Sequence, residues 1–417
     1  MFENLVIPQI VRRFDFEEWG GTESVVWESS KKLKSWGVQP EILSTQALNP
    51  TATEEREGLQ IQRFDYHYPY WGLTEQNRRQ LDKKGGNPFV PAMEKYLLDL
   101  PGLDLLHSHG MQRIAGLVRR VAQKRKIPYV VSFHGGNLEL PSSEIEQMCS
   151  PVKGSFHFGR IFDPWYGTDK ALAEADALIC VGYSEYLKTQ AAYPNQRVVY
   201  LPNGVEPARF EQAQGNRFKQ QYGIPPELRL LLCVGRIDPQ KNQAVLLELL
   251  PELPENTGLV LIGPPTDPGY QAELEETIRA RGLSQRVWLI PGLNADDPLL
   301  ADAYDATEIF VLPSRHEPFG IVVLEAWMRR KPVLVADLGG LQHLVNDGVT
   351  GLRFGNTREL VQSAKVLLQE PAFAHLLGEA GYHEALLNYS WETVAHRLYS
   401  LYLELVQENS HSKRRIP

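Results

Sequence analysis

Cysteine is scarce in this chain of 417 residues. There are three, Cys149, Cys180 and Cys233, odd in number, far apart and without a C-x-x-C spacing. That arithmetic disfavours a disulfide framework and a cysteine-based zinc site. Cys180 and Cys233 lie in apolar runs and read as inert core thiols. No run of eighteen or more apolar residues exists, so no helix is expected to span a membrane. The start, MFENLVIPQIVRRF, carries Glu3 and Pro8 and only a very short apolar stretch, a poor signal peptide. A cytoplasmic chain is the default expectation. Positive charge is not in excess: 43 Lys and Arg against 51 Asp and Glu leave −8, which argues against a nucleic-acid partner. Three phosphate motifs are missing as well. There is no Gly-x-Gly, hence no dinucleotide fingerprint, and no G-x-x-x-x-G-K-[ST] P-loop. There is no Asp-x-Asp, the usual carboxylate pair for a metal-bound nucleotide, so any phosphate bound without it would call for Arg, Lys and backbone dipoles.

What the chain does have is α/β alternation. Short apolar runs recur: DLLHSH (104–109), PYVVSF (128–133), ALICVG (177–182), RVVYLP (197–202), LRLLLCVG (228–235), GLVLIG (258–263), RVWLIPG (286–292), EIFVLP (308–313) and KPVLVAD (331–337). They are apolar throughout rather than alternating, as in strands covered on both faces. Helical stretches separate them, which predicts doubly wound parallel sheets. A turn-rich break, PNGVEPARF (202–210), is followed by a polar helix over 210–223 and then a fresh strand. The expected domains are 1–206, joined by a returning helix at 388–408, and 207–387. Residues 65–87 lack regular period and read as a long loop, either an acceptor contact or plain surface. The tail after 408 reads as disordered.

The strongest motif is RHEPFGIVVLEAWMRRKPVLVADLGG (315–340). Gly320–Arg330 reads as a helix with Pro318 near its start. Glu317 and Glu325 are eight positions apart, about 12 Å along a helix. They cannot share a proton, but each can grip one end of an elongated ligand. Amides of Phe319, Gly320 and Ile321 at the helix start are candidate donors to an anion or to hydroxyls. Glu325 sits among Val322, Val323, Leu324 and Ala326, where an acid needs a partner. Otherwise the two acids are a cap and an exposed charge.

Second comes CVGRIDPQKN (233–242), straight after an apolar strand. Arg236 and Lys241 on a strand-to-helix loop suit a diphosphate, Arg as a fork and Lys as a mobile point charge. Alone, such a pair is more often solvated surface charge. In WGGTE (19–23), Gly20 and Gly21 open a helix over 22–36 and let backbone approach a phosphate. His134, in YVVSFHGGN (129–137), follows a buried-type strand, at the edge where ligands sit; taken alone it reads equally as a satisfied structural histidine. His107 and His109, in HSHG, end the preceding run. An H-x-H pair suggests zinc, but no further ligands accompany it, so no metal is expected.

Together these residues resemble the retaining glycosyltransferases of family 4, which have the GT-B fold. EPFGIVVLE is similar to that family's E-x7-E signature and GRIDPQKN to its G-R-x-x-x-x-K segment. WGGTE, PNGVE and SWE look like its glycine loop and its two interdomain crossings. The resemblance implies two Rossmann-like domains facing across a cleft, closure around a donor, and an acceptor bound mainly by the N-terminal half. It implies that Arg236 and Lys241 hold the donor diphosphate and stabilise it on departure. Glu325 would bind the ribose hydroxyls. Glu317, with the amides of Phe319, Gly320 and Ile321, would contact the transferred sugar. Gly20 and Gly21 would lie against the phosphates, and His134 would hydrogen-bond the sugar near the reacting carbon. The implied reaction moves a hexose-type sugar to a small-molecule, glycan or lipid-linked acceptor, with no cofactor beyond the donor. UDP-glucose, UDP-N-acetylglucosamine and GDP-mannose are all compatible; the resemblance favours UDP-sugars over GDP-mannose.

Two other reactions suit the same plan, a sugar phosphorylase and a nucleotide-sugar epimerase, and a third reading is a non-catalytic sugar-nucleotide binding module. The segment MQRIAGLVRRVAQKRK (111–126) is a basic amphipathic helix. It reads either as a packed helix with a solvated basic face or as peripheral contact with the inner membrane face.

Overall fold

The computed structural model describes residues 4–17, 20–134, 150–153, 155–157, 163–294 and 296–414. The chain folds as two compact units, Met1–Pro202 with Val394–Pro417, and Asn203–Thr393.

In the first unit, β1 (Leu5–Val6) pairs in parallel with β3 (Val38–Gln39). The main sheet holds β2 (Gln9–Arg13), β4 (Ile42–Thr45), β5 (Thr53–Arg56), β6 (Leu59–Phe64), β8 (Leu106–Ser108), β9 (Tyr129–Phe133), β11 (Ala177–Cys180) and β12 (Val198–Tyr200). Its order is β12-β11-β9-β8-β2-β4-β6-β5. Every pairing is parallel except β5 with β6, an antiparallel edge hairpin that the charged TEER run did not announce. β7 (Tyr70–Trp71) pairs with β10 (Phe156–His157) in a small antiparallel ribbon.

In the second unit, six strands form one parallel sheet: β13 (Arg229–Val234), β14 (Thr257–Ile262), β15 (Val287–Ile290), β16 (Thr307–Leu312), β17 (Val333–Ala336) and β18 (Leu352–Phe354). The order, β15-β14-β13-β16-β17-β18, is that of a doubly wound fold whose topology reverses between β13 and β16. Successive side chains on a strand point to opposite faces. In β13, Leu230 and Leu232 join one apolar core while Leu231 and Cys233 join the other. Both faces are buried, so the strand has no polar alternation to show. All nine apolar runs singled out in the sequence contain a strand.

Three expectations need correction. Residues 65–87 are not a long structureless loop: a helix, Glu75–Lys83, runs through them. Thr74 caps it by accepting from the Asn77 amide (3.2 Å). The Arg12 guanidinium donates to the carbonyls of Leu81 (3.0 Å), Asp82 (2.7 Å) and Lys83 (3.2 Å) at its other end. The helix buries only Leu81 and Asp82, too few for an apolar period to register. Next, the helix of the glutamate motif is shorter than read, Ile321–Met328, because Gly320 (φ 99°) starts it and Arg330 (φ 54°) cannot continue it. The last helix, Trp391–Arg414, runs through most of the tail that reads as disordered.

The basic helix Arg113–Arg125 is packed and paired, in keeping with one of the two readings of its sequence. Arg113 meets Asp163 (2.8 Å), Arg119 meets Glu174 (2.6 Å), and Arg120 and Lys124 share Glu94 (2.7 and 3.2 Å). Arg125 donates to the Leu98 carbonyl (2.6 Å). With four of its cations paired to carboxylates inside its own unit, the helix gives the membrane reading no support. Among the described residues, no helix is long and apolar enough to cross a membrane.

Within the second unit, the segments where the chain enters it and leaves it lie side by side. Val205 donates to the Tyr389 carbonyl (2.8 Å) and accepts from the Trp391 amide (3.0 Å), making a parallel bridge beside PNGVE and SWE. Gly204 lies flat on the Trp391 indole; a Cβ there would sit 2.6 Å from the ring.

Candidate functional site

In open α/β sheets, ligands bind beyond the carboxyl ends of the strands where the topology reverses. The two strongest motifs end there. GRIDPQKN leaves β13 and RHEPFG leaves β16, the strands on either side of the reversal. Backbone geometry stitches the loops together. The Arg315 amide donates to the Gln240 carbonyl (2.7 Å), and Asn242, in the left-handed region (φ 57°), donates its side-chain amide to the Pro313 carbonyl (3.2 Å).

The result is an ion pair that sequence spacing alone could not locate. Lys241 Nζ lies 2.6 Å from Glu317 Oε2, with both side chains largely buried. Ser314 Oγ also reaches that oxygen, at 3.5 Å. Asp238, which sequence reasoning missed, organises the loop from inside. Its Oδ1 accepts from the amides of Gln240 (3.0 Å) and Lys241 (3.1 Å). Its Oδ2 accepts from Thr266 (3.1 Å) and lies 3.3 Å from Arg236 Nη2. The Asp238-Pro-Gln pattern is an Asx-turn signal that could have marked it. Arg236 also donates to Gln240 Oε1 (3.0 Å), and half of its side chain stays exposed.

Glu325 is buried and not an exposed charge. Tyr304 Oη donates to its Oε2 at 2.6 Å. Burial raises the Glu325 pKa, and the nearby Arg209 cation and the Tyr304 hydrogen bond oppose that rise. Phe319 is buried, and the amides of Phe319, Gly320 and Ile321 have no hydrogen-bond partner among the described residues. Gly340 is pressed on this turn: it donates to the Glu317 carbonyl (2.8 Å), and a Cβ on it would fall 2.0 Å from the Pro318 oxygen. Among the described residues no cluster of His, Cys, Asp and Glu could hold a metal ion.

In the first unit the same rule of topology applies, between β2 and β8. Gly20 is the cap of helix Gly21–Ser35 and its carbonyl accepts from Ser24 (3.0 Å). Buried Glu23 pairs with Arg13 (3.4 Å). Trp19 lies outside the described residues, as does Cys149. His134, half-buried at the end of β9, stacks on His109, with His109 Nδ1 3.1 Å from His134 Nε2. His107 is bound by Tyr402 Oη (2.6 Å) and Ser132 Oγ (2.7 Å). Burial pushes the pKa of His107 down to about 3 and that of His134 to about 4, and holds His109 well below the usual range. The H-x-H pair and His134 thus form a run of buried imidazoles held in the neutral form.

Residues 20–204 match the family described as glycosyl transferase 4-like domain, and residues 215–384 match glycosyl transferases group 1. A D-inositol 3-phosphate glycosyltransferase of Rhodococcus jostii is 32% identical, covering 92% of this chain and 84% of that protein. The chain belongs to the family 4-like glycosyltransferases. A second D-inositol 3-phosphate glycosyltransferase, from Geodermatophilus obscurus, is 29% identical over 95% of this glycosyltransferase and 87% of its own length. Among solved structures, the sucrose-phosphate synthase of Thermosynechococcus elongatus superposes with TM-score 0.73, at 21% identity, over 97% of this chain and all of that one. Anabaena HepE, in complex with UDP, superposes with TM-score 0.70, at 17% identity, over 95% and 99%. These likenesses, with the two parallel-sheet units, make the fold of the glycosyltransferase GT-B.

Proposed function

We propose that this glycosyltransferase moves a hexose-type sugar from a nucleotide diphosphate donor, a UDP-sugar rather than GDP-mannose, to an acceptor hydroxyl, with retention and without a metal. The observation that carries the reading is the convergence of Arg236, Lys241 and Glu317 on the carboxyl ends of β13 and β16.

Breaking the anomeric bond builds negative charge on the departing diphosphate. Arg236 and Lys241 neutralise that charge from fixed positions, each well-placed donor lowering the barrier by about 2.7–4 kcal/mol. Glu317 holds the Lys241 ammonium in place until phosphate arrives and then turns a carboxylate oxygen to the sugar, aided by the amides of Phe319, Gly320 and Ile321. Glu325, presented by Tyr304, accepts from the ribose hydroxyls. In the first unit, Gly20 and Gly21 offer backbone to phosphate oxygens and His134 hydrogen-bonds the sugar. The names of the inositol-phosphate relatives and the UDP bound by HepE favour a UDP-sugar and a phosphorylated polyol acceptor.

Lys241→Ala is expected to lower kcat by at least about 100-fold; because it leaves Glu317 buried without its cation, turnover is compared well below the variant's own unfolding temperature. Near-normal turnover in that variant refutes the assignment. Calorimetry with UDP, GDP and ADP, and turnover in the presence of a chelator, test the base preference and metal independence.

A further inference from the structure

The imidazoles of the first unit are linked in a line whose proton positions follow from one residue. Gln9, in β2, is a buried glutamine in an otherwise apolar stretch. Its side-chain Nε2 donates to the Ile7 carbonyl (3.1 Å) and to Tyr402 Oη (3.2 Å). A flipped amide would set two oxygens against each other at Ile7, so the orientation is fixed by its partners. Gln9 Oε1 therefore faces His109 Nε2, 2.9 Å away. An acceptor there requires the proton of neutral His109 to be on Nε2, which leaves Nδ1 with a lone pair. That lone pair faces His134 Nε2 at 3.1 Å, so His134 also carries its proton on Nε2. His134 Nδ1 then has a lone pair and no hydrogen-bond partner among the described residues.

We propose that Gln9 and His109 are positioning residues that fix the tautomer of His134, so that its Nδ1 acts only as a hydrogen-bond acceptor for a hydroxyl of the bound sugar. The imidazole takes a proton-bearing ligand atom and turns away one that offers only lone pairs, such as a phosphate oxygen. Tyr402 extends the line into the last helix, since its hydroxyl accepts from Gln9 and meets His107 Nδ1. Burial keeps all three rings neutral at physiological pH, which a tautomer-based device needs.

The inference deepens the reading of His134 as a sugar contact and rests on it for the ligand, but the tautomer can be observed without turnover. The full-length protein, labelled with nitrogen-15 histidine, is examined by long-range proton–nitrogen correlation at pH 7.5, and the His134 ring is assigned by loss of its signals in His134→Gln. The expected pattern puts the proton of both His109 and His134 on Nε2. Gln9→Met is expected to release His134 into a tautomer mixture and lower kcat about 10-fold or more, the lower end of the loss seen when the outer partner of a metal-bound imidazole is removed. Calorimetric affinity for UDP should not change. His109→Asn, whose side-chain oxygen can stand where Nδ1 stood, should preserve the His134 tautomer, and His109→Leu should not. A wild-type His134 with its proton on Nδ1 overturns the proposal, even if every variant fails to fold. So does a His134 tautomer that Gln9→Met leaves unmoved. If the tautomer shifts while turnover holds, the positioning stands and the role of His134 in transfer falls.

Discussion

At the scale of single residues, the buried acids and imidazoles set how this glycosyltransferase responds to pH. The folded state keeps His107, His109 and His134 neutral, with His107 near 3 and His134 near 4, against about 6.5 in an unfolded chain. Between those values the unfolded state binds more protons, so stability is fully present above pH 6.5 and falls as pH drops towards 4. Each such histidine contributes at most about 1.4 kcal/mol per pH unit in that window. Denaturant unfolding of wild type and His107→Gln at pH 5 and pH 7.5 checks this. The variant should lose less stability on acidification than the wild type does. A second residue-scale expectation concerns Glu325. Tyr304→Phe removes the donor at 2.6 Å and leaves a buried carboxylate oxygen unpaired, at a cost of about 1–3 kcal/mol. The Glu325 pKa should rise further, so nucleotide affinity measured by calorimetry should be weaker than wild type below neutral pH and recover as pH increases.

At the scale of elements, the turn between β16 and helix Ile321–Met328 is held by contact with a glycine pair. Gly339 (φ 53°) and Gly340 lie against the carbonyls of Glu317 and Pro318 with no room for a side chain. Gly340→Ala forces backbone apart, which costs about 1–3 kcal/mol or more. It should displace the Phe319–Ile321 amides. Thermal unfolding reports the first effect and donor KM the second, and an unchanged KM would show that the turn does not carry donor contacts. Much of this element was legible in the sequence. Pro318 marks the start, and the apolar neighbours of Glu325 mark it as an acid in need of a partner. The length of the helix was not, because Gly320 and Arg330 end it through backbone dihedrals that residue identity only suggests. The hairpin of β5 and β6 and the helix Glu75–Lys83 were missed for the opposite reason: β5 and the helix are largely exposed, so no apolar period records them.

At the scale of the whole molecule, the C-terminal segment belongs to the unit built from the other end of the chain. Trp391–Arg414 brings Tyr402 against Gln9 and His107, and Glu404 to Arg197. Leu398, Leu401, Tyr402 and Leu405 are buried. Cutting the chain after Thr393 should therefore unfold or loosen residues 1–202 while leaving 203–393 protected. Hydrogen exchange resolved by peptide separates the two outcomes, and equal protection of both units in the truncated chain would contradict the expectation. The sequence by itself determined the class of fold, because strands buried on both faces must be apolar throughout, and it singled out Glu325, because an acid inside an apolar helix needs a partner. Only the tertiary structure decided that Lys241 meets Glu317, that Glu325 is held by Tyr304, and that an H-x-H pair is a line of neutral rings ending at His134. Those are contacts between residues up to nearly 400 positions apart, and no local period or spacing encodes which strand ends a topology brings side by side.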